Sequence, residues 1–302
     1  MADRPSFAPG FGVSERRTSL VGRAAEMHDL EDALRGVRDK NAARVVTVLG
    51  ASGIGKTRLV RDFLIKMRAS GGKAPRVFRG SARDQGPAYG VFARVLRARF
   101  GIFEGMDPEA ARAQVRAQCA EVLEDRKVGD VIYFLGQILE LDFQDSPLIR
   151  AVEGDPQEVL RLRRAVIKRF FEADALAKDS GPLVLVFDDL HWARDDSLDL
   201  LAYLIENTSA PVLFVCIARP EVIARRDAWS KSEDGRHKVI ELSPLAENDA
   251  AAVMHDLLTP CGDDADLEEL VEAACTLAGG NPALLEQMVR IFLDMGVLEV
   301  VD

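Results

Sequence analysis

The sequence predicts an α/β fold with a parallel sheet and a small C-terminal helical subdomain, and three observations indicate this. Apolar runs of strand length alternate with segments of helical periodicity up to about residue 245. A glycine-rich loop joins the first apolar run to a helix. From Ala246 onward helical patterns dominate. Strands that alternate with helices are typical of a parallel sheet covered by helices.

The first part of the chain predicts two helices and two strands. Apolar residues recur at helical spacing from about Arg23 to Arg38 and predict the first helix. The apolar run 44–50 predicts a buried strand, and the glycine loop and an amphipathic helix marked by apolar residues at 59–67 follow it. The weaker run 75–82 predicts a second strand.

Residues 87–179 predict a wholly helical insertion. Asp107-Pro108 and Asp155-Pro156 each place an aspartate cap before a proline at the first helical turn, and Glu158 takes the place of a capping-box acid. The helix that begins near Gln157 carries basic residues on one side, which admits a nucleic-acid face. Its apolar residues account for packing, however, so a solvated face is the favoured interpretation.

The remaining elements are three strands and four helices. The runs 181–189, 211–219 and 237–245 predict the strands, and a helix is expected at about 197–206. The last of three C-terminal helices begins at Asn281-Pro282. We therefore predict the following domains: a flexible leader (1–18), a core (19–243) with the helical insertion at about 87–179, and a helical lid (244–302).

Composition excludes several classes of protein. The 302 residues carry a formal net charge of −10, which disfavours sequence-independent nucleic-acid binding. The four cysteines form no C-x-x-C pair and predict buried, inert thiols rather than a metal site. No apolar run approaches the length of a membrane span, and the N-terminus lacks the apolar segment of a signal peptide. We expect a cytoplasmic protein.

The glycine loop carries the most specific signal. Gly50-Ala51-Ser52-Gly53-Ile54-Gly55-Lys56-Thr57 matches the P-loop pattern in full, between a strand and a helix. Its backbone N–H groups from Gly53 to Thr57 are expected to surround phosphate, Lys56 to reach the β- and γ-phosphates, and the Thr57 hydroxyl to bind Mg²⁺. We predict that ATP or ADP binds here, and we count Arg58 among the nucleotide-binding residues.

The second informative motif is a pair of aspartates at the end of the third predicted strand. Asp188 ends an apolar run of five residues, where a rigid strand would aim its carboxylate at the magnesium ion. Asp189 comes one step later and is predicted to polarise the attacking water, although it also fits an ordinary loop acid. His191 and Trp192 are interpreted as packing residues.

These segments resemble a known family. The P-loop, "DDLHWA" and "LVGRAAEMHDLEDAL" are similar to the STAND-type NTPases, a branch of AAA+-related ATPases found in bacterial multidomain signalling proteins and, more distantly, in NB-ARC domains. The resemblance covers nearly everything from about Thr18 to the end. It implies a five-stranded parallel sheet in the order 5-1-4-3-2.

The resemblance also implies roles for particular residues. Val21-Gly22-Arg23 matches the segment that lies against adenine and ribose. Arg219 matches the sensor arginine that reaches toward the γ-phosphate, although it also fits an ordinary strand-end arginine. Pro282 matches the lid proline that packs on the base, and a simple helix-start proline is the alternative. The sequence departs from the AAA+ pattern in two ways. Asp189 replaces the glutamate of many AAA+ motors. No convincing trans-acting arginine finger is found, and the pair Arg225-Arg226 is only a weak candidate.

The expected function is a signalling switch with slow ATPase activity. The sequence shows no sign of a pocket for a second substrate, which argues against a kinase. Its features of motor ATPases are weak, which argues against a translocase. The ATP state is expected to favour self-association or a partner protein. Two alternatives remain: a DNA-associated AAA+ initiator or loader, whose winged helix would begin near the strand-like stub 296–302, and a nucleotide-binding scaffold without hydrolysis.

Overall fold

The structure is a computed structural model, and it describes residues 19–69, 73–83, 86–123, 128–143, 150, 154–178, 180–226, 235–261 and 266–298. The predicted leader, 1–18, and the end of the predicted stub, 299–302, lie outside these residues. The chain divides into two compact units. We call them the sheet unit, 29–49 and 64–240, and the lid unit, which contains the described residues within 1–28, 50–63 and 241–302.

Five parallel strands form one sheet. They are β1 (Arg44–Gly50), β2 (Arg76–Ser81), β3 (Leu183–Asp188), β4 (Val212–Ala218) and β5 (His237–Leu242). Their order is β2-β3-β4-β1-β5, which is the predicted order 5-1-4-3-2 taken from the other edge. The predicted fold class is therefore confirmed.

Strands β3 and β4 are the most deeply buried part of the sheet. Every residue in both is buried, and their sequences are accordingly apolar except for the acid that ends β3. In the register, Leu183 lies opposite Val212 and Phe187 opposite Cys216. Strand β2 lies at the sheet edge and is half-exposed. This explains why its apolar pattern is weak.

Helices account for most of the rest of the described chain. They are α1 (Ala24–Lys40), α2 (Lys56–Ala69), α3 (Gly90–Phe100), α4 (Pro108–Val122), α5 (Val128–Leu139), α6 (Pro156–Ala175), α7 (Asp195–Asn207), α8 (Glu221–Arg225), α9 (Glu247–Leu258), α10 (Asp266–Ala278) and α11 (Pro282–Asp294). Within the described ranges, no helix is both long enough and apolar enough to cross a bilayer.

The described part of the predicted insertion is mainly helical, with non-helical connections at 101–107 and 140–143. It supplies α3 to α6, and the predicted aspartate caps form, with Asp107 accepting from Ala110 N at 2.9 Å and Asp155 from Gln157 N at 2.9 Å. Its aromatic residues pack on the sheet: the ring centroids of Phe92 and Phe187 are 5.0 Å apart. The insertion therefore extends the core of the sheet unit.

A buried ion cluster that the sequence pattern did not predict ties the insertion to β2. Asp174 is fully buried near the end of α6 and accepts from Arg99 Nε at 2.8 Å and from Arg76 Nη1 at 2.9 Å. The two guanidinium groups compensate a carboxylate that would otherwise be costly to bury.

The cysteines follow the prediction in part. Cys119 and Cys216 are buried, and desolvation raises the pKa of each to about 12, so both thiols are inert at neutral pH. Cys261 and Cys275 are half-buried.

The lid unit has its own core. Helices α9, α10 and α11 pack around buried apolar residues such as Met254, Val271 and Leu285. These are the three C-terminal helices that the sequence predicted. The predicted domain bounds themselves stay a prediction.

Candidate functional site

The P-loop is shaped by glycines with positive φ. Gly53 has φ 78° and Gly55 has φ 99°, conformations that side chains with a Cβ rarely adopt. A Cβ added at Gly55 would meet no atom of the described residues within 4 Å, so with respect to them this face of the loop is open. Ile54 between them is only 2% exposed. Its side chain therefore anchors the loop, which leaves only its backbone for a ligand.

Lys56 begins α2 and turns back over the loop. Its Nζ donates to Gly50 O at 2.8 Å and to Ala51 O at 2.7 Å. The adjacent Arg58 instead points along the helix, with Nε 3.5 Å from Asp62 Oδ2. The open glycine face, the helix N-terminus and the lysine together fit the triphosphate of a nucleotide.

The first turn of α11 contacts the P-loop directly, within the lid unit. Asn281 Nδ2 donates to Ser52 O at 3.0 Å, and Ala283 N donates to Gly53 O at 3.2 Å. A Cβ at Gly53 would lie 2.7 Å from Asn281 Oδ1, so only glycine permits this approach. Asn281 also caps its own helix by accepting from Ala283 N at 3.1 Å. Pro282 occupies the first helical position, as predicted.

The Val21-Gly22-Arg23 segment packs on the lid helices. Val21 contacts the lid core, and a Cβ at Gly22 would overlap the carboxylate of Asp249 on α9. Arg23 is 6% exposed and donates to Ser243 O at 2.6 Å. Arg23 therefore fastens this segment to the start of the lid, and its contact with a nucleotide stays a prediction.

In the sheet unit, Asp188 ends β3 as a buried carboxylate, and its partners include a backbone N–H and a guanidinium. Asp189 N donates to Asp188 Oδ1 at 2.8 Å, and Arg79 on β2 forms an ion pair with Oδ2. Burial raises the pKa of Asp188 above its ordinary value, and the guanidinium of Arg79 opposes that shift. Sequence reasoning missed Arg79, because only the pairing of β2 with β3 brings it to the acid.

Asp189 follows in a left-handed backbone conformation, with φ 55° and ψ 35°. This conformation is uncommon for a residue with a side chain and clusters at functional sites. The carboxylate accepts from Ser81 Oγ at 2.9 Å, and Arg94 on α3 donates to Ser81 O at 2.6 Å. Ser81 and Arg94, like Arg79, carried no sequence signal.

Arg219, which follows β4, lies over the indole of Trp192 at 5.9 Å from the guanidinium carbon to the ring centroid. Trp192 is 44% exposed. It therefore offers Arg219 a platform, in addition to the packing and loop-shaping role that was expected of it. The Arg225-Arg226 pair serves intramolecular contacts: Arg225 Nη2 lies 2.8 Å from Asp195 Oδ1, and Arg226 Nη2 lies 2.7 Å from Asp199 Oδ1.

The carboxylate of Asp188 can be compared with the needs of a metal site made of protein side chains alone and with those of a magnesium ion carried by a nucleotide. Among the described residues, no group of three or more His, Cys, Asp or Glu side chains is placed to hold a metal ion. Mg²⁺ usually takes one or two carboxylates and completes its shell with phosphate and water. Asp188 is a buried carboxylate of this kind, and its role toward Mg²⁺ stays a prediction.

Comparisons with known proteins identify the family of this chain and leave the roles of the individual site residues as predictions. Residues 19–215 match the family described as AAA ATPase domain. A curated relative, an uncharacterized protein of Rhizobium meliloti (strain 1021), is 26% identical over 278 residues, which are 89% of this chain and 24% of the relative. The chain thus spans about a quarter of that protein.

Similar solved structures show the same fold. The Drosophila ORC bound to DNA superposes with TM-score 0.53 at 14% identity, over 96% of this chain and 60% of that chain. Cdc6p from Pyrobaculum aerophilum gives TM-score 0.51 at 14% identity, over 97% of this chain and 65% of that chain. The P-loop geometry and the family match over more than half of the chain lead to one conclusion: this chain belongs to the AAA ATPase domain family.

Proposed function

We propose that this chain is a nucleotide-operated switch of the STAND type, which binds ATP with Mg²⁺, hydrolyses it slowly and changes conformation with the state of the nucleotide. One observation carries the proposal: Asn281 and Ala283 of the lid hydrogen-bond to Ser52 and Gly53 of the P-loop. A loop that closes around phosphates is thereby tied to a helix of the lid. A change in the conformation of the loop will therefore displace α11.

In this proposal each residue has one task. Lys56 compensates the β- and γ-phosphates, while the Thr57 hydroxyl and the Asp188 carboxylate hold Mg²⁺, which neutralises phosphate charge when bound. Asp189 takes the proton of the water that attacks the γ-phosphorus as the bond to the β–γ bridging oxygen breaks. The short side chain of Asp189 and its hydrogen bond to Ser81 suit slow turnover.

The remaining residues read the nucleotide. Arg219 responds to the γ-phosphate, which ADP lacks, while Val21, Gly22 and Pro282 contact the nucleoside. A ligand shifts an equilibrium only by its differential affinity for the two states. A full reversal of populations needs about 5.5 kcal/mol. One charge-assisted arginine–phosphate contact supplies about half of that, so ATP alone shifts the populations in part. Self-association or a partner protein supplies the rest.

Small-angle scattering tests the switch. Wild type and Arg219→Ala are compared with ADP and with a non-hydrolysable ATP analogue, each over a range of protein concentrations. We expect the wild type to differ between the nucleotides and Arg219→Ala to lose the difference. Identical wild-type profiles with both nucleotides at every concentration would contradict the proposal of a switch. If Arg219→Ala still responds to the nucleotide, only the sensor role of Arg219 would be contradicted. The appearance of ADP after incubation with ATP distinguishes the switch from a scaffold that does not hydrolyse.

A DNA-associated ATPase is the second candidate, because a similar solved structure is that of Drosophila ORC bound to DNA. The net charge of −10 weighs against it. Fluorescence anisotropy with labelled duplex DNA, at low and at moderate salt, distinguishes the candidates. Salt-dependent binding with ATP present would favour the DNA-associated function, and flat anisotropy would favour the switch.

A further inference from the structure

Strand β2 places a basic side chain against the acid that ends β3. In the parallel register Arg79 lies opposite Val186, and Ser81 lies opposite Asp188. Side chains two residues apart on a strand share a face, so Arg79 and Asp188 are diagonal neighbours on one face of the sheet. Arg79 Nη2 accordingly pairs with Asp188 Oδ2.

The two partners differ in their surroundings. The Asp188 side chain is 2% exposed and that of Arg79 is 31% exposed. The second oxygen of Asp188 accepts from the backbone of Asp189. Both carboxylate oxygens therefore have fixed partners, and one of these partners carries a full positive charge that persists at any ordinary pH.

We infer that Arg79 is a positioning residue that orients the Asp188 carboxylate and opposes the binding of a divalent cation there. The inference rests on the proposed role of Asp188 as the metal carboxylate. A divalent cation on this carboxylate must share it with the guanidinium, and two positive charges repel strongly where the surroundings are poor in water. A carboxylate has lone pairs enough for both partners, so Arg79 weakens binding without blocking it.

This arrangement has a regulatory consequence. When the cation alone binds weakly, the phosphates of a bound nucleotide must supply the missing negative charge. Asp188 then binds Mg²⁺ together with the nucleotide, and a change in the concentration of free Mg²⁺ alone has little effect on the site.

Calorimetry on the full chain tests the inference. The ratio of ADP affinity with excess Mg²⁺ to that with EDTA measures the contribution of the metal. The variants are Arg79→Gln, which keeps a donor without the charge, and Arg79→Lys, which keeps a charge. Arg161→Gln is the control, because Arg161 pairs with Glu158 on the solvent side of α6 with its own side chain 73% exposed. All are measured at mildly alkaline pH, so that the Asp188 carboxyl stays ionised.

We expect Arg79→Gln to raise the ratio by roughly tenfold. Arg79→Lys and Arg161→Gln should stay near the wild-type value. An unchanged or lower ratio in Arg79→Gln would overturn the inference. If Arg79→Gln does not fold, Arg79→Met takes its place, with the same expected direction. Titration with Mn²⁺, followed by electron paramagnetic resonance without nucleotide, gives a second readout. The uncharged variant should bind Mn²⁺ more tightly than the wild type, and equal binding would also overturn the inference.

Asp188→Ala separates the inference from the proposed function. If Asp188→Ala abolishes the Mg²⁺ dependence and Arg79→Gln does not change it, the role of Arg79 alone is wrong. If Asp188→Ala leaves the Mg²⁺ dependence of the wild type intact, the metal role of Asp188 fails, and the role of Arg79 fails with it.

Discussion

The P-loop and the acid pair Asp188-Asp189 are built in opposite ways. The P-loop takes its shape from backbone: glycines with positive φ, N–H groups at the start of α2, and main-chain carbonyls that accept from Asn281 and Ala283. The acid pair takes its surroundings from side chains: Arg79 faces Asp188, and Ser81 faces Asp189. A backbone site depends on a contiguous run of residues, whereas a side-chain site depends on which strand lies beside it.

The comparison predicts how the two regions respond to mutation. Changes in the P-loop should affect nucleotide binding itself, because its contacts are proposed to hold the phosphate. Changes around the acids should separate metal binding from hydrolysis, since each acid has its own partner.

Asp189→Asn should keep nucleotide binding and slow hydrolysis by roughly 10²–10⁴-fold, the range for loss of a general base. Asp188→Ala should instead weaken Mg²⁺-dependent nucleotide binding. Steady-state ATPase assays and calorimetry measure the two effects. Equal loss of binding in both variants would show that the two acids share one role.

Lys56→Ala should abolish tight binding of ATP and ADP. Loss of the ammonium leaves phosphate charge uncompensated, at a cost of roughly 2–5 kcal/mol by analogy with buried charge pairs. Calorimetry measures this loss of nucleotide affinity. Lys66→Ala is the matched control, because Lys66 lies on the same helix and pairs with Glu31. Unchanged affinity in Lys56→Ala would contradict the P-loop assignment.

Asn281→Asp should uncouple α11 from the P-loop at a small cost in stability. Aspartate caps a helix as well as asparagine does, but it has no donor for Ser52 O. We expect a loss of about 1 kcal/mol in the free energy of unfolding, the worth of one hydrogen bond, together with a weaker difference in scattering between ADP and the ATP analogue. Asn281→Ala should cost more stability because it also removes the cap. If Asn281→Asp keeps the full nucleotide response, this contact does not couple the lid to the loop.

The smallest effect concerns pH. Burial raises the pKa of Asp188 in the folded state above its ordinary value of 3.8. The folded protein therefore binds a proton more readily than the unfolded chain does. Relative to Asp188→Asn, the wild type should gain stability as pH falls through the raised pKa toward 3.8, and it should lose that gain as pH rises again. Urea denaturation of both proteins across this window measures the difference, and a difference independent of pH would contradict it.

Prediction from sequence succeeded where the signal is local. The P-loop spans consecutive residues, so its pattern can be recognised without the fold, and the strand before it and the helix after it are visible in the same stretch. The aspartate caps of α4 and α6 are equally local. The three C-terminal helices followed from helical patterns and from the cap at Asn281-Pro282, whereas their description as a lid came from the family resemblance. The order of the strands came from the family resemblance, because periodicity does not reveal which strands pair.

The sequence by itself determined the α/β fold class, the place of the P-loop motif between a strand and a helix, and the position of the acids at the end of a buried strand. Glycines, caps and apolar runs act over a few residues and need no distant partner. Only the tertiary structure decided that Arg79 neutralises Asp188, that Ser81 holds Asp189, that Arg219 lies over Trp192, and that Asn281 reaches the P-loop. Each of these contacts joins residues far apart in the chain. Their meeting depends on strand register and helix packing, which the free energy of the whole core selects.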